Sequence, residues 1–314
     1  MTKKSIRHSV AQKLVEMGKR HPNLVVLEAD LQDSTQSVQF QKAFPDRYIQ
    51  VGIAEQNMMG IAAGLAACGK IPVAYTFACF ASMRACEQVR TSVAYPNLNV
   101  KIFVSHCGVS AGTAGTSHHA IEDIAIMRAI PNMTVIAPGD AKEAAQAAEA
   151  AVLHAGPVYL RMAAIDIEDI YHEQSTFNLG KATLLREGKD ATIITTGPLM
   201  NEGVAAADKL RQEYGIFAGV LQMATVKPID REAILFAARQ SGRIITVEDH
   251  TILGGLGSAV CEIVAEIGNA KVKRIGINDR FVCVGTPAYI MEREGITVQE
   301  ICRSTIELIK ISAA

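Results

Sequence analysis

The chain has 314 residues, enough for two domains of ordinary size, and its 49% hydrophobic content with no Trp fits an α/β core of Ala, Val, Ile and Leu. Lys plus Arg (31) nearly balances Asp plus Glu (32), so no basic face for nucleic acid or an anionic membrane is implied. Seven scattered cysteines without Cys-x-x-Cys spacing argue against a disulfide framework or a zinc site, and with polar residues 1–9 and no apolar run of membrane-spanning length they lead to the expectation of a soluble, cytoplasmic protein.

Helical apolar spacing covers 6–17 and ends at His21-Pro-Asn. Residues 24–30, L-V-V-L-E-A-D, then predict a short buried strand with Asp30 at its carboxyl end, where open parallel sheets place ligands. The stretch 50–64 reads Q-V-G-I-A-E-Q-N-M-M-G-I-A-A-G, with one carboxylate, Glu55, in the first turn of a helix starting at Ala54. Gly60 and Gly64, with Ala62, Ala63, Ala66 and Ala67, make that helix thin enough for another backbone to pack closely on it. On spacing alone such a Glu is a dipole or capping partner. The functional reading is a buried acid placed to share a proton.

A strand at 71–75, a helix over 81–94 and a strand at 100–105 follow, leading into a loop of Gly, Ser, Thr and His over 105–119. A helix from Ile121, a strand at 134–137, an Ala-rich helix from Ala141 and a strand at 157–161 complete a first domain, expected at 1–165. This alternation predicts a parallel sheet covered on both faces. Residues 166–188 lose the rhythm and are expected to form a linker. A second domain at 189–314 is built from strands at 191–196, 216–221, 244–248 and 272–277, with helices between them and a last one from Thr297. Gly254-Gly-Leu-Gly257 lacks the full dinucleotide-binding pattern and reads as a tight turn before a helix, or a subunit contact, rather than a phosphate cradle. The fold class is thus α/β, with two doubly wound domains.

The segment around Glu55 resembles the G-I-A-E-Q-N/H segment of the transketolase family. Thr76-Phe-Ala-Cys-Phe80 resembles that family's T-F-x-x-F loop, and Ala29-Asp-Leu-Gln-Asp-Ser34 its A-D-L-x-x-S run. Ser105-His106 and Thr116-Ser-His118 resemble its two histidine positions, and Arg7 and Arg161 align with arginines of the family. By themselves the two Phe would be core, the histidines hydrogen-bonding loop residues and the arginines surface charges. The resemblance implies a pyrimidine-binding domain followed by a smaller transketolase C-terminal-like domain. It implies that Glu55 contacts the aminopyrimidine of thiamine diphosphate, that Phe80 stacks on that ring with Phe77 beside it, and that Asp30 and Leu31 lie against the cofactor. Ser34, His106, Arg7 and Arg161 would contact the phosphate end of a sugar, and His118 its reacting oxygens, which suits imidazoles titrating near neutral pH.

Two departures matter. The family's loop usually reads Asp-Gly-x-x-His, whereas this chain has Ala114-Gly-Thr-Ser-His118, so an acceptor for a substrate hydroxyl is gone; His119 stands where Gln is common. The Gly-Asp-Gly segment that holds the diphosphate and Mg²⁺ is absent. The resemblance therefore implies the second chain of a split enzyme, with no metal ligands of its own. An N-terminal transketolase subunit would supply them in an α2β2 assembly. The activity implied is transfer of a two-carbon ketol unit from a ketose, phosphorylated or sulfonated, to an aldehyde. Alternatives are the β subunit of a 2-oxo acid dehydrogenase and a non-catalytic assembly subunit.

Overall fold

The computed structural model describes residues 3–171 and 175–313. Its first strands are β1 (Lys3–Ser5), β2 (Leu24–Glu28), β3 (Tyr48–Gln50), β4 (Ile71–Phe77), β5 (Lys101–Ser105), β6 (Thr134–Ile136), β7 (Val158–Arg161) and β8 (Asp166–Glu168). The remainder are β9 (Thr183–Arg186), β10 (Ala191–Thr195), β11 (Ala218–Gln222), β12 (Thr225–Lys227), β13 (Arg243–Thr251) and β14 (Lys271–Ile277). Strands β2, β5 and β7 are buried along their whole length, as suits strands with apolar centres covered on both faces, the polar Glu28, Lys101, Ser105 and Arg161 standing only at their ends.

The first sheet runs β12-β6-β7-β5-β4-β2-β3, parallel throughout except for β12. One face is covered by the helix Ile6–Arg20, whose first turn is capped by Ser5 Oγ accepting the His8 N–H at 3.3 Å. Its Ile6, Val10, Leu14 and Met17 share a core with Ala144, Ala147, Ala148 and Ala151 of the helix Ala141–Leu153. The helix Glu55–Ala67 buries Met58, Met59, Ala62 and Ala63 in a separate core against the same sheet. In register, Glu28 lies beside Tyr75, Phe77 beside Ser105 and Val104 beside Arg161. The loops after β2, β4 and β5 therefore leave one edge of the sheet together.

The second sheet runs β14-β13-β10-β11-β9, with β9 antiparallel. The Gly254–Gly257 turn precedes the helix Leu256–Ile267. Glu248, fully buried, accepts the Leu256 and Gly257 N–H groups at 2.7 and 2.8 Å, and a Cβ on Gly255 would sit 2.0 Å from its Oε2. A carboxylate of the chain already fills this helix N-terminus, so the tight-turn reading applies and no phosphate has room there.

Three stretches differ from expectation. Residues 166–188 contribute β8, which pairs with β1, and β9, which edges the second sheet; residues 172–174 of that stretch lie outside the described residues. The helix expected over 81–94 is there but irregular, an α-helical turn Cys86–Gln88 between two π-helical turns, Phe80–Arg84 and Val89–Ala94, closed by Ala85 N–H to Phe80 C=O and Tyr95 N–H to Arg90 C=O. The third is β12, which leaves the second half of the chain to pair with β6, Thr225 opposite Ile136. Lys227 anchors it by donating from Nζ to the carbonyls of Arg128 and Ile130, at the C-terminal end of the helix Asp123–Ala129.

Candidate active site

The loop after β2 turns sharply because Asp30 adopts φ +64°, a strained conformation for a residue with a Cβ. Two side chains hold it there. Gln50 Oε1 accepts the Asp30 N–H at 2.9 Å, and Glu28 Oε2 accepts the Leu31 N–H at 2.7 Å. Glu28 is fully buried, and burial pushes its carboxyl above the ordinary range while the Leu31 N–H and Thr35 hydroxyl pull it back. Neither Glu28 nor Gln50 was singled out from the sequence. Asp30 itself is exposed. Arg7 donates from Nη1 to the Ser34 carbonyl at 2.6 Å, and its Nε is buried with no partner among the described residues.

At the ends of β4 and β5 four rings meet. Phe77 and Phe80 lie nearly parallel, centroids 5.8 Å apart. His106 rests on Phe77 at 3.9 Å, and His118 turns its edge to Phe80 at 5.5 Å and to Phe77 at 6.2 Å. His106 shares the strain of Asp30, with φ +58°, and its Nδ1 lies 2.9 Å from Ser105 Oγ. Non-glycine residues of positive φ at the carboxyl ends of β2 and β5, the strands on either side of β4, mark this edge as built for binding rather than for stability. The loop carrying His118 is tied to the second half of the chain: the Val109 N–H donates to Asp249 and Thr116 Oγ1 to the Val282 carbonyl. His119 is buried and donates its Nε2–H to the Gly112 carbonyl at 3.0 Å, while Ala114 is exposed.

Burial, reinforced by the charges of Arg7 and His118, pulls His106 down to about 4 from its ordinary 6.5. It is therefore a neutral hydrogen-bonding group at pH 7. The unfolded chain takes up this proton near 6.5 and the folded chain only near 4, so stability falls as pH drops through that window. In a histidine NMR titration the His106 ring signal is expected to move near pH 4; a midpoint near 6.5 would contradict the placement.

Glu55 opens its helix 1% exposed, but it is not alone. Arg84 brings Nη1 within 2.9 and 2.8 Å of its two oxygens. The same guanidinium lies over the Phe80 ring, its central carbon 4.2 Å from the centroid. Arg84 went unnoticed in the sequence because 29 positions separate it from Glu55. The thin face of the Glu55 helix is bare in this chain. No atom lies within 4 Å of a Cβ built on Gly60 or Gly64, and nearby Ile53, Met83 and Tyr95 are exposed by 75%, 47% and 87%.

Arg161 is the residue the structure withholds from the site. It is 4% exposed, its Nε within 2.9 Å of Asp123 and its Nη2 donating to the Asp249 and Ala120 carbonyls at 2.8 and 3.4 Å. Burial opposes the guanidinium charge, but Asp123, Cys107 and Asp249 together outweigh it and move the pKa upward. Tyr159 donates its hydroxyl to the same Asp123. The expected grip on a substrate phosphate is corrected accordingly: an inward-facing strand arginine beside a buried Asp becomes part of the core. Among the described residues no group of three or more His, Cys, Asp or Glu could hold a metal ion, and no helix is long and apolar enough to cross a membrane.

Comparison with known proteins places this geometry. The family model "Transketolase, pyrimidine binding domain" matches residues 2–167, and "Transketolase, C-terminal domain" matches 180–301. The chain is 47% identical over 310 residues to a transketolase C-terminal section of Methanocaldococcus jannaschii, covering 98% of this chain and 97% of that one. It is 43% identical over 303 residues to the 6-deoxy-6-sulfo-D-fructose transketolase subunit SqwH of Clostridium sp. (strain MSTE9), covering 96% and 94%. A solved structure described as a split gene transketolase, inactive β4 tetramer, superposes with a TM-score of 0.91 at 42% identity, covering 98% of both chains.

Proposed function

The chain belongs to the transketolase family, and from that premise we propose that it is the pyrimidine-binding and C-terminal subunit of a split, thiamine diphosphate-dependent transketolase, transferring a two-carbon ketol unit from an anionic ketose to an aldehyde. The observation that carries the reading is the buried Glu55 carboxylate beside the flat Phe80 ring, with His118 at that ring's edge. The fit of an aminopyrimidine is supported by Arg84, whose planar, hydrogen-donating cation already satisfies the same carboxylate and the same ring face. When bound, the cofactor supplies the carbon nucleophile that carries the ketol unit.

The roles of this chain's residues follow from where they stand. Glu55 would hold a bound aminopyrimidine and share a proton with its ring nitrogen. Phe80 and Phe77 give the ring an apolar wall, and Leu31 lies on the neighbouring turn whose shape Asp30 and Gln50 keep. His118 is half-buried beside the aromatic wall, where it exchanges protons with substrate oxygens. Arg7 with its free Nε, Ser34 and the neutral His106 are left to receive the distal anion, without Arg161. A relative named for sulfofructose supports an anionic ketose of either sulfonate or phosphate type. A β subunit of a 2-oxo acid dehydrogenase is not favoured, since both matched domains and these relatives are transketolases.

The ligands of the diphosphate and Mg²⁺ are assigned to an N-terminal partner chain in an α2β2 assembly in the cytoplasm. The bare face around Gly60 and Gly64 supports this, as does the description of the similar solved chain, alone, as an inactive tetramer. The isolated chain is expected to bind thiamine diphosphate weakly and to be inactive, and calorimetry with and without a co-purified diphosphate-binding subunit measures this. Tight Mg²⁺-dependent binding by the single chain would overturn the split-enzyme reading.

A further inference from the structure

Arg84 is the fifth residue of the π-helical turn that Phe80 begins. The wider π turn carries both side chains to the same mouth, and such turns recur at functional sites. With Nη1 on both Glu55 oxygens and its guanidinium flat above Phe80, Arg84 covers both surfaces that a stacked, hydrogen-bonded pyrimidine ring would use. Its side chain is 46% exposed, so it has open solvent to move into, whereas Glu55 at 1% has none.

We infer that Arg84 is a placeholder: in the free chain its guanidinium occupies the aminopyrimidine position between Glu55 and Phe80, and the cofactor ring binds only by displacing it. The inference rests on the reading of Glu55 and Phe80 as the ring site. Arg84 keeps the buried carboxylate from standing without a counter-charge while no cofactor is present. It lowers the affinity of the free chain by the fraction of molecules in which it is seated. Its release returns the aromatic face and the carboxylate together, so ring binding and Arg84 departure are one event.

The probe is the free aminopyrimidine half of thiamine, which carries neither diphosphate nor metal and so tests this chain's own surface. Its binding to the full chain is followed by ligand-observed NMR for wild type, Arg84→Ala, Arg84→Lys and Arg84→Ala with Glu55→Gln. Arg84→Ala is expected to bind the fragment at least about tenfold more tightly, the gain for a seat occupied nine times in ten. Arg84→Lys should fall between, since it keeps the charge but loses the flat stacked surface. The double variant should lose the gain. A merely structural Arg84 would give the opposite sign, weaker binding as the site loosens. Equal affinity in wild type and Arg84→Ala, abolished by Glu55→Gln, would overturn the placeholder while leaving the ring site standing. No binding by any variant would remove the ring site, and the placeholder with it.

Discussion

Replacing Glu55 by Gln in the complex reconstituted with a diphosphate-binding subunit is expected to lower kcat by roughly 10² to 10⁴, the range for one positioned acid–base group. Gln is nearly isosteric and can still accept the Arg84 donor, so the helix start and the fold should persist. What it cannot do is hold a proton on one side chain and release it again. The defect should therefore appear in kcat more than in KM, as for an interaction made in the reacting state. The decisive measurement is exchange of the cofactor's C2 proton with solvent. An unchanged exchange rate in the variant would show that Glu55 does not move that proton and serves only to anchor Arg84.

The second large effect concerns stability. Arg161→Ala leaves Asp123 buried without a counter-charge and removes the Arg161 donor from the Asp249 carbonyl, and breaking a buried pair in this way costs about 3–5 kcal/mol. Arg161→Lys should recover only part of this, because a point charge cannot reproduce the guanidinium's reach to Asp123 and the Asp249 carbonyl together. Arg161→Met with Asp123→Leu should be closer to wild type than either single change, since it removes both charges at once. Urea unfolding of the four chains measures the series. A stable Arg161→Ala chain whose only defect is a raised KM for anionic sugars would return Arg161 to the substrate site.

The alternation of strands and helices was legible because doubly covered parallel strands need a mostly apolar run, as in the L-V-V-L of β2 and the I-F-V of β5. Asp30 could be placed from its position at a strand end, whereas Phe77, Phe80 and His106 were found only through the resemblance of their motifs, since a Phe at the end of a strand reads as core and a His in a Gly-rich loop as a local hydrogen-bonding residue. Pairings were not legible. Nothing in spacing joins Arg84 to Glu55 or Arg161 to Asp123, 29 and 38 positions apart, so the sequence reading left Glu55 unpartnered and Arg161 free. The π turns escaped because their apolar residues also satisfy an α-helical pattern over so short a run. The short strand β12 escaped because Thr-Val-Lys is too brief to carry a period.

That strand decides where the molecule can be divided. A chain cut anywhere between 190 and 224 would strip β6 of its neighbour and turn an interior strand into a sheet edge with unpaired amides and carbonyls, the kind of edge that recruits other chains. It would also free the Lys227 ammonium from the two carbonyls it closes off. Proteolytic fragments or shortened genes ending between β9 and β12 would thus inherit an incomplete first sheet and tend to aggregate.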